Sequence, residues 1–224
     1  MHVMKNILEV DSIQKYVNKN FSLSDIYLRC ETGEILGVFG RNGSGKSLLM
    51  KIIFGTEKAN HKFIRINDKC INEPYKIADN VVYLPQNSFL PKILSVQKII
   101  QLYFNKDCID AFVNDEIIQK IINLKVSELS SGELRYLELK LLLKGNSKFI
   151  LLDEPFNALS PILREKAIEL IVREKTSKGI IITDHDFTNL NSITTNNYLM
   201  HNGSLIKITS KDDLVFYNYL PKDF

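Results

Sequence analysis

The stretch Gly40-Arg41-Asn42-Gly43-Ser44-Gly45-Lys46-Ser47 follows the apolar run Glu34–Phe39 and opens a helical pattern, Lys46–Phe54, that closes at Gly55. Strand, glycine-rich turn and helix in this order is the context a phosphate-binding loop requires. Glycines let the backbone curl so that successive N–H groups point inward, at the positive end of the following helix. Gly40, Asn42, Gly43, Ser44 and Gly45 would shape that cradle, Lys46 would reach the β- and γ-phosphates, and the Ser47 hydroxyl would ligate Mg²⁺. The competing reading is a glycine-rich turn before a helix. From ordinary residue frequencies, a chance match in a chain this long is on the order of 1%.

Around this unit, apolar runs bounded by polar turns predict strands at Ile7–Val10, Phe21–Cys30, Glu34–Phe39, Lys62–Ile66, Val81–Leu84, Phe149–Leu152, Ile180–Thr183, Tyr198–His201 and Ser204–Ile208. Further helical patterns cover Ser95–Phe104, Asp110–Ile122, Ser131–Lys144 with Gly145 behind it, and Pro161–Lys175 capped by Ser160. Asn202-Gly203 predicts a tight hairpin at the sheet edge, because a type I′ turn needs positive φ at both central residues. Alternation of strand and helix predicts an α/β fold with a mainly parallel sheet. Helices are missing between the strands of 1–33 and the segment at about 60–70, which predicts a small antiparallel β subdomain. From about 87 to 137 helix follows helix, an all-helical insertion, leaving 34–59, 71–86 and 138–224 for the core of a single 224-residue unit.

The chain is 45% hydrophobic and 25% charged, which excludes collagen-like, disordered and disulfide-scaffold classes. A net charge of +3 is too small to demand a polyanionic partner, and no nucleic acid is expected. Cys30, Cys70 and Cys108 form no Cys-x-x-Cys pair and are expected to be buried small apolar residues of a reducing compartment. Glu9 and Asp11 interrupt the N-terminal stretch before any sustained apolar run, unlike a signal peptide. No apolar run approaches the roughly 20 residues of a membrane-spanning helix. A membrane role is therefore expected to run through a separate partner.

Phe149–Leu152 leads into Asp153-Glu154-Pro155, an apolar strand ending in two acids. Asp153 is expected to hold Mg²⁺ through water, and Glu154 to orient or deprotonate an attacking water. The competing reading is a solvated acidic turn. Leu129-Ser130-Ser131-Gly132-Glu133-Leu134 reads as a capping box between Ser130 and Glu133. The same helix start offers bare N–H groups and a positive dipole end suited to a γ-phosphate.

Phosphate loop, serine–glycine helix start and, about twenty residues later, the acidic strand resemble an ATP-binding cassette (ABC) ATPase over essentially the whole chain. The resemblance implies a RecA-like P-loop core, ATP and Mg²⁺, and phosphate contacts from Ser130 and Gly132. It also implies that Gln86 touches Mg²⁺ and the attacking water and relays nucleotide state to the helical part. His185 takes the place of the switch histidine that contacts the γ-phosphate and Glu154. Asn157-Ala158-Leu159-Ser160 takes that of a dimer-contacting loop. Tyr16 is the choice for the aromatic that stacks on adenine; Phe21 is nearby, and either ring could be core. The usual signature is Leu-Ser-Gly-Gly-Gln, so Ser131 and Glu133 are departures, as is Ser160 where aspartate is usual.

In that family, one subunit's phosphate loop and another's signature helix close on one ATP. The resemblance thus implies a homodimer, or a heterodimer with a similar ATPase chain, that hydrolyses ATP and drives separate integral-membrane permease subunits. It would lie in the cytoplasm, peripheral on the inner face of the membrane, with Phe89, Tyr103 and Phe104 as docking contacts or core residues. The alternatives are a soluble cassette ATPase acting on nucleic acid or ribosomes, and a weakly hydrolysing nucleotide-gated regulatory module.

Overall fold

Alternate residues of the central strands are sorted into two apolar layers, one on each face of a sheet. The computed structural model describes residues 5–185 and 187–221; Asp186 and the extreme residues of the expected units, 1–4 and 222–224, lie outside it. Its strands are β1 (Ile7–Asn18), β2 (Phe21–Glu31), β3 (Ile35–Phe39), β4 (His61–Ile66), β5 (Lys69–Cys70), β6 (Val81–Leu84), β7 (Phe149–Asp153), β8 (Gly179–Asp184), β9 (Asn196–His201) and β10 (Ser204–Ile208). Its helices are α1 (Lys46–Phe54), α2 (Val96–Tyr103), α3 (Lys106–Val113), α4 (Glu116–Ile121), α5 (Ser131–Lys144), α6 (Pro161–Glu174), α7 (Phe187–Asn191) and α8 (Lys211–Phe216).

The larger sheet has the order β10-β9-β3-β8-β7-β6, parallel except for β10 at its edge. Strands β3, β7 and β8 are buried throughout, as a parallel sheet covered on both faces requires. Ile35, Phe39, Ile150, Leu152, Ile180 and Ile182 pack toward one face with Leu137, Leu141 and Ile171. Leu36, Val38, Phe149, Leu151 and Ile181 pack toward the other with Leu49, Ile53 and the antiparallel sheet β2-β1-β4-β5. Register pairs Phe39 with Asp184 and Asp153 with Thr183, so the carboxyl ends of β3, β7 and β8 stand side by side. Ligands of open α/β sheets bind at such ends.

The mainly parallel sheet, the antiparallel sheet and the run of helices α2–α4 match expectation. So does the Asn202-Gly203 hairpin, with φ of 48° and 77°. Ser160 caps α6 ahead of Pro161, and Ser130 with Glu133 forms the capping box of α5. Four expectations need correction. Strand β1 runs on to Asn18, because Ser12 at φ 52° introduces an irregularity in the pairing with β2 that hides the two-residue alternation. The helix expected over Asp110–Ile122 is broken, because Asp115 turns to cap α4 by accepting from the N–H groups of Ile117 and Ile118. Helices α7 and α8 were missed, although Ser210 and Asp213 spell a capping box for α8. Only Cys30 is buried; Cys70 lies on the short β5 and Cys108 on α3, both exposed.

Burial of Cys30 pushes its thiol well above the usual cysteine range, which suppresses the reactive thiolate. Two thiols per chain should therefore react with DTNB in the folded protein, and the third only after denaturation. Three fast thiols would contradict the packing of β2.

Candidate functional site

Between β3 and α1 the loop turns through left-handed Gly43 (φ 79°) and Gly45 (φ 103°), conformations that L side chains rarely adopt. Lys46 opens α1 and is buried. Its ammonium donates to the carbonyls of Gly40 at 2.7 Å and Arg41 at 3.3 Å and lies 3.9 Å from Glu154. Burial pulls its pKa below the usual lysine value, opposed by Glu154, Asp153 and Asp184. The Ser44 hydroxyl oxygen is buried with no hydrogen-bond partner among the described residues, a polar atom suited to a polar ligand in the cradle.

At the end of β7, Asp153 accepts the Tyr83 hydroxyl at 2.9 Å and the Thr183 hydroxyl at 2.7 Å, which fixes both carboxylate oxygens. The neighbouring Glu154 takes φ 47°, and its Oε2 accepts the Asn157 amide at 2.8 Å. Gln86, just beyond β6, donates its side-chain amide to the Ser47 hydroxyl at 3.0 Å. Asn42, Gly43, Ser44, Gly45, Lys46, Ser47, Gln86 and Glu154 therefore share one cleft of about 410 Å³.

Oxygen donors from Ser47, Gln86 and Asp153 suit a hard cation. Among the described residues no cluster of three or more His, Cys, Asp or Glu side chains could enclose a metal. An oxygen donor set of this kind would suit Mg²⁺, which is usually held by one or two protein oxygens, substrate phosphates and waters.

A wider cleft of about 750 Å³ adjoins this one and is bordered by Tyr16, Phe21, Arg41 and His201. Tyr16, at the β1–β2 hairpin, is 63% exposed, whereas Phe21 lies so close to Gly45 that a Cβ there would sit 2.8 Å from its ring. Phe21 thus buttresses the loop, while Tyr16 presents a free ring face. His185 stands after β8 with its ring 3.4 Å from Asp184, and it lines neither cleft.

Ser130 is exposed and likewise lines neither cleft, nor does Gly132. The Glu133 carboxylate accepts both the N–H of Ser130 at 2.9 Å and its hydroxyl at 2.7 Å. Gly132 has a packing reason of its own: a Cβ there would meet the Ala158 carbonyl oxygen at 2.9 Å. The signature helix and the loop after β7 are thereby pressed together within one chain.

Two contacts beside the site carry no motif in the sequence. Arg135, buried on α5, reaches backbone carbonyls beside Gln86 and around Glu154. The C-terminal turn accepts the Arg41 guanidinium at the Asn218 carbonyl (2.7 Å) and donates the Tyr219 hydroxyl to the His185 carbonyl (2.6 Å). The arginine itself stands in the sequence five residues after the helix cap Ser130, but its carbonyl partners leave no residue-type signal, and the turn leaves none either.

The sequence model of the family described as "ABC transporter" matches residues 23–157. The chain is 30% identical over 195 residues to ABC transporter A family member 11 of Dictyostelium discoideum, matching 82% of this chain but spanning only 23% of that relative's length. It is 28% identical to the ABC transporter ATP-binding protein YtrB of Bacillus subtilis, covering 93% of this chain and 73% of the relative. In fold it superposes on a dimeric ATP-binding cassette solved in a post-hydrolysis state with ADP and phosphate, with a TM-score of 0.76, 19% identity, 91% of this chain and 99% of the other. With the family model covering more than half of its residues and the glycine loop, acidic strand and capped serine–glycine helix in their places, this chain belongs to the ABC transporter family, as an ATP-binding cassette.

Proposed function

We propose that this chain is the ATP-hydrolysing, energy-coupling subunit of an ABC transporter, working as a pair of like chains that close on two ATP molecules. The observation that carries the reading is the single cleft in which Lys46, Ser47, Gln86 and Glu154 meet while the exposed Ser130 stands outside it. One chain furnishes the loop, the acid and the glutamine; a second chain furnishes Ser130 and Gly132. Head-to-tail pairing of this kind is a self-complementary twofold interface.

In the closed pair, Lys46 and the loop N–H groups bind the phosphates, and Tyr16 covers the adenine. Mg²⁺, held by Ser47 and Gln86 and reached from Asp153 through water, would neutralise charge on the phosphates. Glu154 takes the proton of the attacking water, and His185 swings to the γ-phosphate. Asn157–Ser160 follows Glu154 and faces the partner cassette.

The name of YtrB and the dimeric, ADP-bound state of the structural relative support this reading. No helix among the described residues is long and apolar enough to cross a membrane. In this reading, coupling runs through membrane-spanning subunits. Phe89 and Tyr103 are exposed within the helical stretch at about 87–137 and would meet that partner; Phe104 is partly buried and packs on Phe112 at 4.9 Å, against the core. The expected result is Mg²⁺-dependent ATP hydrolysis by the purified chain, faster when a membrane-spanning partner is co-expressed and indifferent to nucleic acid. Stimulation by RNA or DNA with no membrane requirement would instead assign it to the soluble cassette ATPases.

A further inference from the structure

Arg135 is buried on α5, and its guanidinium donates to four backbone carbonyls, one just after β6 and three at and just beyond the end of β7. Nη1 reaches Pro85 at 2.5 Å, Nη2 reaches Asp153 at 2.7 Å and Glu154 at 3.0 Å, and Nε reaches Pro155 at 3.3 Å. Pro85 immediately precedes Gln86, and the other three bracket Glu154. The same guanidinium lies 3.8 Å from Glu138, whose carboxylate accepts the Ser88 hydroxyl at 2.6 Å and the Phe89 N–H at 2.9 Å. One side chain therefore joins the signature helix, the glutamine loop and the acidic strand.

Backbone conformation at Glu154 makes that junction consequential. Its φ of 47° is one that L-residues with long side chains seldom adopt, and it persists only where the surroundings over-determine it. The carbonyls of Asp153 and Glu154 belong to the two peptide planes either side of the Glu154 α-carbon. A planar, multi-donor guanidinium can fix both planes at once, which a lysine ammonium, a point charge, does less well.

We propose that Arg135 is a positioning residue for Glu154: it locks the two peptide planes that aim the carboxylate into the phosphate cleft and, through Glu138, ties their orientation to the loop carrying Gln86 and Phe89. The inference rests on Glu154 being the group that activates water. A purely structural Arg135 would only satisfy carbonyls and neutralise Glu138; its loss would then lower stability, nucleotide binding and turnover together.

Arg135→Lys separates the two roles, since it keeps a cation beside Glu138 but loses the fork. Misplacement of a reacting group by about 1 Å costs about 10²-fold, so kcat should fall by about that factor. KM for ATP should stay within about twofold, the pattern for an interaction made only in the transition state. In a Glu154→Gln background, Arg135→Lys should leave the ATP-driven dimer intact. Wild-type kcat in folded Arg135→Lys would overturn the proposal, as would a raised KM at constant kcat or loss of the dimer in the double variant. If Arg135→Lys does not fold, Glu138→Gln carries the test: it keeps an acceptor for the Phe89 N–H, and kcat should fall at unchanged KM, whereas unchanged kcat would overturn the link. Undiminished turnover in Glu154→Gln alone would instead remove the parent reading of Glu154.

Discussion

Glu154→Gln lowers ATP turnover about 10²–10⁴-fold, the usual contribution of a positioned general base, and leaves ATP bound. The amide keeps an oxygen to accept from Asn157, so the left-handed turn after β7 survives. What it loses is a proton acceptor beside the phosphate cleft and a negative charge 3.9 Å from Lys46. ATP then binds but is not consumed, and the paired state accumulates. Steady-state phosphate release measures the first effect, and molar mass in solution with ATP measures the second. Unchanged turnover would remove Glu154 from its assigned role.

Lys46→Met is expected to weaken ATP binding by about 10- to 100-fold, since a hydrogen bond to a charged group is worth roughly 1.5–3 kcal/mol. The methylene stem of Lys46 lies buried under the loop, so methionine fills similar space and the fold should hold. The change removes the only side-chain cation lining the phosphate cleft among the described residues. Fluorescent-nucleotide titration, with far-UV circular dichroism to verify folding, is the measurement. Wild-type affinity in a folded variant would mean that phosphates sit elsewhere.

Much of the site was legible because its signals are local. The glycines of the loop, the capping Ser130 with Glu133 and the acids after four apolar residues each state their geometry within eight positions of sequence. Gln86 was singled out by the resemblance to the family's glutamine loop, and its side-chain amide reaches the Ser47 hydroxyl. Arg135 was illegible as to role, because its partners are carbonyls of Pro85 and of residues 153–155, contributed by backbone that carries no residue-type signal. His185 sits after the expected strand, yet its ring lies 3.4 Å from Asp184 and lines neither cleft, a placement that spacing does not encode.

The fold divides along the same line. Strands β3, β7 and β8 were visible as continuous apolar runs, since both their faces are covered. Strand β1 was cut short because a pairing irregularity at Ser12 breaks the alternation on which strand reading depends. Asp115 ended a helix that apolar spacing alone would have continued. Its carboxylate also accepts from Tyr136 at 2.8 Å and Lys140 at 2.7 Å, contacts with α5 about twenty residues away. Tertiary partners decided that break.

Mixing two inactive chains tests the shared pocket most directly. Lys46→Met damages the loop half, and Ser130→Asp damages the signature half, because aspartate still caps a helix but sets a carboxylate against the γ-phosphate. In a mixed pair, one pocket collects both lesions and the other is intact. Random pairing makes half of the twofold dimers mixed, each with one sound pocket, so an equimolar mixture should regain about a quarter of wild-type turnover. Folded variants that stay inactive when mixed, or a wild-type chain that hydrolyses ATP at full rate as a strict monomer, would contradict the account.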